Sequence, residues 1–123
     1  MPKTILCVDD STTIRLLVSK TLKPLGYTIF EAEDGQKGFD AVKSEAIDLI
    51  IVDVNMPVMD GFEMIRNVKT LPKCKNTPIV FLTTESSADK KEKGKELGVS
   101  GWMVKPFESD ALIKIVKMLL GDA

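Results

Sequence analysis

Four apolar runs in this chain each end at side chains that can do polar chemistry. The runs are residues 5–8 before Asp9 and Asp10, 49–52 before Asp53, 79–82 before Thr83, and 102–104 before Lys105. If these runs are parallel strands of one sheet, their carboxyl ends share one edge, where open α/β sheets bind their ligands. Three carboxylates, a hydroxyl and an ammonium would then meet, and the pattern predicts a polar site at that edge.

The three carboxylates of this edge predict a dense negative pocket. Like charges raise one another's pKa unless a cation is present, and Mg²⁺ binds a few carboxylates together with water. A carboxylate can also act as a nucleophile and become an aspartyl phosphate. Such a transfer needs positive charge and hydrogen-bond donors, which Lys105 and Thr83 would supply.

Each of these residues also has a simpler interpretation. Asp9 and Asp10 would suit the N-cap of a helix, and Asp53 would suit the start of a turn. Taken alone, Lys105 is typical of a solvated turn, and Thr83 of a strand end or a helix cap. Their joint occurrence at successive strand ends favours the site.

The length and composition of the chain limit the classes of protein to which it can belong. A chain of 123 residues predicts one domain over residues 1–123, and its net charge of −1 argues against nucleic-acid or anionic-membrane binding. No apolar stretch approaches the roughly 20 residues of a membrane span. Met1 leads directly into a strand-like run and only residues 121–123 follow the last predicted helix, so we expect neither a signal peptide nor an output domain.

Histidine is missing from the sequence, and the cysteines show no metal pattern. The absence of histidine excludes a Ser-His-Asp triad, a Cys-His pair and a histidine-ligated zinc site within the chain. Cys7 lies in an apolar run and Cys74 in a polar loop, without CxxC spacing. These unpatterned cysteines predict reduced thiols and a cytoplasmic location.

The apolar runs alternate with segments of helical period. Apolar residues recur three and four positions apart in the segments that follow Asp10, Asp34, Gly61 and Ser109, and a charged helix is predicted over residues 87–97. This strict (βα)₅ alternation predicts an α/β fold with a parallel sheet and helices on both faces.

Taken together, these residues resemble the receiver domain of two-component response regulators over essentially the whole chain. The resemblance is carried by Asp9-Asp10, by Val-Asp-Val-Asn-Met-Pro-Val-Met-Asp-Gly around Asp53, by Thr83, and by Lys105-Pro106-Phe107. Spacing and length are most similar to single-domain chemotaxis receivers of the CheY type. The resemblance implies a flavodoxin-like fold with strand order 2-1-3-4-5, in which Asp53 accepts a phosphoryl group from a histidine on a partner kinase.

The resemblance also implies how the acidic residues would hold Mg²⁺. Asp10 and Asp53 would bind the ion directly, together with the backbone carbonyl of Asn55. Asp9 would act through a metal-bound water.

Further residues would then handle the phosphoryl group. Lys105 would contact it, and the peptide bond to Pro106 would be cis, an isomer realistic only before proline. Thr83 would be the switch hydroxyl that moves toward the phosphate. Asn55 and Glu85 occupy positions that tune how quickly water removes the group.

Trp102 stands where receivers commonly carry a tyrosine or phenylalanine that takes part in the switch. One interpretation is that the indole turns inward as Thr83 moves, which would remodel the surface of the fourth helix, fifth strand and fifth helix. The other is that Trp102 is an anchor of the core or of an interface, because aromatic side chains routinely bury large areas.

An enzyme is the alternative from another class. A phosphatase of the haloacid dehalogenase type uses a similar set, but its DxDx[TV] motif follows the first strand and its second Asp is replaced here by Asn55. Two negative charges at Asp9 and Asp10 disfavour a flavodoxin, and GxxxxGK[ST] is absent. We therefore expect a phosphoacceptor switch that labels itself from small donors and loses the phosphate slowly, not a turnover enzyme.

The expected partners follow from the same resemblance. A sensor histidine kinase of the CheA type would donate the phosphoryl group, and a phosphatase could remove it. A flagellar motor switch protein would be the target of a monomeric regulator. A phosphorelay intermediate or a phosphate sink would carry the same pocket.

Overall fold

The computed structural model describes residues 2–122, in which strands and helices alternate along the chain. The strands are β1 (Thr4–Val8), β2 (Thr28–Ala32), β3 (Leu49–Val52), β4 (Ile79–Thr83) and β5 (Gly101–Val104). The helices are α1 (Thr12–Leu22), α2 (Gly35–Ser44), α3 (Gly61–Val68), α4 (Ala88–Glu96) and α5 (Ser109–Leu120). The strands form one parallel sheet in the order β2-β1-β3-β4-β5, which confirms the predicted (βα)₅ fold and strand order. The expectations that no signal peptide precedes the first strand and that no output domain follows the last helix depend on Met1 and Ala123, which lie outside the described residues.

Successive residues of the strands point to opposite faces of the sheet and build two cores. In β1, Ile5 and Cys7 pack with Val18 of α1 and Val116 of α5. The alternate residues of the central strands face α2 and α3, in a cluster that includes Leu6, Val8, Ile50, Val52, Phe62 and Phe81. Both faces of the central strands are therefore buried, as the all-apolar sequence of residues 49–52 predicts.

Side-chain caps determine where four of the helices begin. Ser11, Asp34, Asp60 and Ser87 precede α1 to α4, and each accepts a hydrogen bond from the backbone N–H three residues later. The cap of α1 is thus Ser11, and the interpretation of Asp9 and Asp10 as caps of this helix is wrong. Both aspartates remain available for the edge of the sheet.

The cysteines lie in two different parts of the core. Cys7 and Cys74 are both free and buried. The assignment of Cys74 to a polar loop is wrong, because Pro72–Cys74 forms a 3₁₀ turn that turns the thiol toward the α2 and α3 side of the core. Burial raises the pKa of the Cys7 thiol far above its ordinary value, so this thiol stays protonated and unreactive. Across residues 2–122, no helix has the length and apolar character needed to cross a membrane.

Candidate functional site at the carboxyl edge of the sheet

Backbone hydrogen bonds continue past the strand ends and hold the polar residues in place. The N–H of Asp53 donates to the carbonyl of Val8 at 3.0 Å, and the N–H of Lys105 donates to the carbonyl of Thr83 at 2.8 Å. The ladder of the sheet thus extends to the first polar residue after β3 and after β5. As a result, segments that are distant in sequence present their side chains at one edge.

The ammonium group of Lys105 bridges two buried carboxylates. Its Nζ lies 2.6 Å from Oδ2 of Asp9 and 3.0 Å from Oδ2 of Asp53. The other oxygen of each carboxylate is also hydrogen-bonded: Oδ1 of Asp9 accepts from the N–H of Ser11 at 2.9 Å, and Oδ1 of Asp53 accepts from the N–H of Val54 at 2.7 Å. These bonds orient both carboxylates and offset the cost of burying them.

Burial and pairing act in opposite directions on the ionisation of this cluster. Burial raises the pKa of Asp9, although the hydrogen bond from Lys105 opposes the shift. For Lys105, burial lowers the pKa, but the hydrogen bonds to Asp9 and Asp53 outweigh it and hold the pKa above its ordinary value. Lys105 therefore stays charged at neutral pH.

The third carboxylate completes a cluster whose chemistry suits a hard cation. Ligand oxygens of Asp9, Asp10 and Asp53 all lie within 4.8 Å of one another, and Asp10 is exposed while its two neighbours are buried. The donors are carboxylate oxygens only, with no nitrogen or sulfur, which is the set that Mg²⁺ prefers. The residues present therefore fit a magnesium ion, with Asp10 as the solvent-exposed carboxylate of the set.

Thr83 is connected to Trp102 through the backbone of Glu85. The fully buried Thr83 hydroxyl accepts a hydrogen bond from the N–H of Glu85 at 3.1 Å, and the indole Nε1 of Trp102 donates to the carbonyl of Glu85 at 2.9 Å. The indole also packs on Phe81 and Phe62, with ring centroids 5.2 and 6.4 Å apart. Trp102 is therefore half-buried on the α3 and α4 side of the core, a position that both interpretations of this residue allow.

The remaining predicted residues lie around this cluster. Asn55 is exposed in the loop after β3, and Glu85 is half-buried in the loop after β4. The peptide bond between Lys105 and Pro106 is cis, as predicted. The structure thus joins Asp9, Asp53 and Lys105 by direct bonds, brings Asp10 close to them, and links Thr83 to Trp102 through Glu85.

Sequence reasoning missed two residues that shape the site. The guanidinium of Arg15 donates to the backbone carbonyl of Asp9 at 2.6 Å, and no motif in the sequence signals that contact. Gly61 lies against the carbonyl of Asp53, so closely that a Cβ at this position would overlap that oxygen. The glycine beginning a helix was visible in the sequence, but its approach to Asp53 was not.

The fold and the site together define a class of signalling protein. A family model, the response regulator receiver domain, matches residues 5–117, and the chain belongs to this family. Receiver domains are phosphoacceptor switches of two-component signalling rather than conventional enzymes, they interact with sensor histidine kinases, and they bind Mg²⁺ in the active site.

Relatives of CheY type match the chain over nearly its full length. The chain is 35% identical over 119 residues to a chemotaxis protein CheY homolog of Campylobacter jejuni. The match covers 95% of this chain and 92% of that protein. The solved structure of CheY4 from Vibrio cholerae is similar with a TM-score of 0.93 and 44% identity, covering 98% of this chain and all of that one.

A much longer relative contains a similar segment. The chain is 36% identical over 115 residues to the sensor histidine kinase CheAY of Helicobacter pylori, but it spans only 14% of that protein's length. The match therefore concerns a small part of that kinase and carries over nothing of its remaining parts.

Proposed function

We propose that Asp53 is the phosphoacceptor of this receiver domain. The observation that carries the proposal is the contact between Lys105 and Asp53, in which a cation lies 3.0 Å from one oxygen of a carboxylate that is 7% exposed. An aspartate held this way has a fixed orientation and an adjacent positive charge for an incoming phosphoryl group.

The transfer can be written with the residues of this cluster. A carboxylate oxygen of Asp53 attacks the phosphorus of a phosphohistidine on the partner kinase, the P–N bond breaks, and its electron pair stays on the imidazole. Lys105 exchanges part of its contact with Asp9 for a contact with the transferred group. Asp10, Asp53 and the carbonyl of Asn55 would hold Mg²⁺ directly, with Asp9 acting through water. A bound Mg²⁺ would offset the negative charge of the phosphoryl oxygens.

The signal then passes to the surface that contains Trp102. The Thr83 hydroxyl turns toward the phosphoryl group, and the path through Glu85 supports a coupled change at Trp102. Asn55 and Glu85 tune the slow attack of water on the aspartyl phosphate. The result is a shift between two populations of one surface, not a turnover reaction.

The output that we propose is the control of a flagellar motor switch protein in chemotaxis. Its support is the similarity to CheY proteins over most of their length, with a CheA-like kinase as donor and a phosphatase as a further partner. We propose a monomeric regulator in the cytoplasm, where the two free thiols, Cys7 and Cys74, would remain reduced.

The phosphoacceptor role is tested by labelling with acetyl phosphate. We expect stoichiometric incorporation that requires Mg²⁺ and is lost in Asp53→Asn. The matched control is Asp40→Asn, which changes an exposed carboxylate on α2 and should label as the wild type does. Persistent labelling of Asp53→Asn would refute the assignment, and repeated turnover of a generic phosphomonoester would favour the dehalogenase-type phosphatase.

The output is tested by binding to candidate partners with and without beryllofluoride, a mimic of the phosphoryl group. Retention of a flagellar motor component only in the presence of Mg²⁺ and beryllofluoride supports the chemotaxis assignment. Rapid transfer from the labelled protein to a second histidine phosphotransfer protein would instead show a phosphorelay intermediate.

A further inference from the structure

The indole of Trp102 rests on the backbone of α4 at Gly94. Gly94 is the buried residue of this helix, while its other residues are half-buried or exposed. A Cβ built at Gly94 would lie 3.0 Å from Cζ3 and 3.2 Å from Cε3 of Trp102. These distances are shorter than an ordinary van der Waals contact, so even a methyl group at position 94 would press on the benzene ring of the indole.

The opposite parts of the indole are also held. Its Nε1 donates to the carbonyl of Glu85, and its rings lie against those of Phe81 and Phe62 in tilted arrangements. These contacts oppose a movement of the indole toward the core, which is the movement that a new Cβ at position 94 would demand. The unfilled side of the indole is a surface depression lined by Lys91, Lys95, Val99, Ser100, Gly101 and Trp102 itself.

Local conformation does not explain a glycine at this position. Gly94 lies inside a helix and is not among the glycines with a positive φ. In a helix interior glycine is less favourable than alanine, because it loses more backbone entropy on folding. Its neighbours Lys93 and Lys95 are ordinary helix formers. Close contact with Trp102 is therefore the feature of the structure that favours glycine at this position.

We infer that Gly94 is a positioning residue for Trp102, and that the two form a size-matched pair that sets how much of the time the indole is buried. A larger side chain at position 94 shifts the indole toward the surface depression and weakens its bond to Glu85. This inference rests on the proposed function in one respect, since it matters for signalling only if Trp102 belongs to the switch surface.

The packing relation can be measured without any phosphoryl mimic, because Trp102 is the chain's single tryptophan. In Gly94→Ala we expect red-shifted emission and a rise of about twofold or more in the acrylamide quenching constant, as the buried population falls. Glu92→Ala is the matched control, since it changes an exposed residue of the same helix and should leave both properties unchanged.

A second measurement separates a positioning role from simple helix propensity. In the Trp102→Phe background, which removes the larger ring, Gly94→Ala should raise the thermal midpoint, as alanine normally does in a helix. In the wild-type background the same change should lower the midpoint. Equal effects in both backgrounds, together with unchanged quenching in Gly94→Ala, would overturn the inference.

The switch role of Trp102 is assessed in a separate arm with Mg²⁺ and beryllofluoride. If Trp102 is part of the switch, the wild-type emission changes at saturating mimic and Gly94→Ala alters the size of that change. A wild-type emission that ignores the mimic would overturn the switch role, whereas stronger quenching of Gly94→Ala would still support the packing relation. The two failures are therefore distinguishable.

Discussion

The ammonium nitrogen of Lys105 lies 3.0 Å from Oδ2 of Asp53, although 52 positions separate the two residues in the chain. The same ammonium contacts Asp9 at 2.6 Å, so a single cation offsets two buried negative charges. Its side chain is only 12% exposed, which limits how far water can replace it. The consequences of removing this cation follow from that burial.

Replacement of Lys105 by methionine should impair both phosphorylation and stability. Loss of a positioned positive donor should slow labelling by acetyl phosphate by about 100-fold. The substitution also leaves the carboxylates of Asp9 and Asp53 without a cation. In the presence of a chelator, the free energy of unfolding should therefore fall by about 2 kcal/mol. Added Mg²⁺ should restore part of this loss, as measured by urea denaturation.

Lys43→Met is the control for this change. Lys43 pairs with Asp40 on the surface of α2 and is 50% exposed, so its removal should cost at most about 0.5 kcal/mol. Wild-type labelling rates in Lys105→Met would contradict the proposed role of the ammonium group.

Thr83→Ala should separate phosphorylation from its readout. The hydroxyl contacts the backbone of Glu85 and makes no bond to Asp9, Asp53 or Lys105, so labelling by acetyl phosphate should persist, slowed only by the loss of one donor to the phosphoryl group. The change in Trp102 fluorescence with beryllofluoride should be lost. Thr83→Ser keeps the hydroxyl and should retain the response, and an intact response in Thr83→Ala would refute the proposed path.

Gly61→Ala should be among the most damaging single substitutions in the protein. The new Cβ would overlap the carbonyl of Asp53 and lie 2.9 Å from Cε1 of Phe81. We expect a loss of about 3 kcal/mol in the free energy of unfolding, with weaker labelling because the β3–α3 loop must shift. Gly98→Ala is the control, because a Cβ at this position would have no atom within 4 Å. Its cost comes only from the φ of +76° and should be about 1 kcal/mol. Equal losses in the two variants would contradict the steric argument.

Val58→Asn should stabilise the protein. Val58 has a φ of +70°, a left-handed conformation that is strained for a β-branched residue, and its side chain is 81% exposed. Asparagine tolerates this conformation, so the free energy of unfolding should rise by about 0.5 to 1 kcal/mol. Val104→Asn is the control. This exposed valine lies in β5, where asparagine is unfavourable, so the same substitution should not raise the free energy of unfolding there.

Tyr27 should make stability depend on pH in alkaline solution. Burial and the hydrogen bond of its hydroxyl to Asp122, at 2.6 Å, raise its pKa from 10.0 to about 12. Because the folded pKa is the higher one, this contribution is complete below pH 10 and is lost as the pH rises through 12. The advantage of the wild type over Tyr27→Phe in urea denaturation should be largest at pH 7 to 9 and shrink between pH 10 and 12. An advantage that stays constant to pH 12 would refute this account.

Local patterns in the sequence were enough to predict the strands, the helices and the edge of the sheet at which the polar residues lie. The all-apolar run 49–52 requires cover on both faces, and the alternation with helical periods leaves a parallel sheet as the simple solution. These regularities follow from strand and helix periodicity alone. Cys74 shows the limit of such reasoning, since its neighbours are polar and only a 3₁₀ turn that docks on the core buries it.

The sequence by itself determined which reactive residues follow each strand, because strand ends are marked where apolar runs stop. The tertiary structure alone decided that Lys105 bridges Asp9 and Asp53, that Ser11 rather than either preceding aspartate caps α1, and that Gly94 receives the ring of Trp102. The physical reason is that periodicity describes one element at a time, whereas these contacts depend on distances between elements that only the packed sheet and helices define.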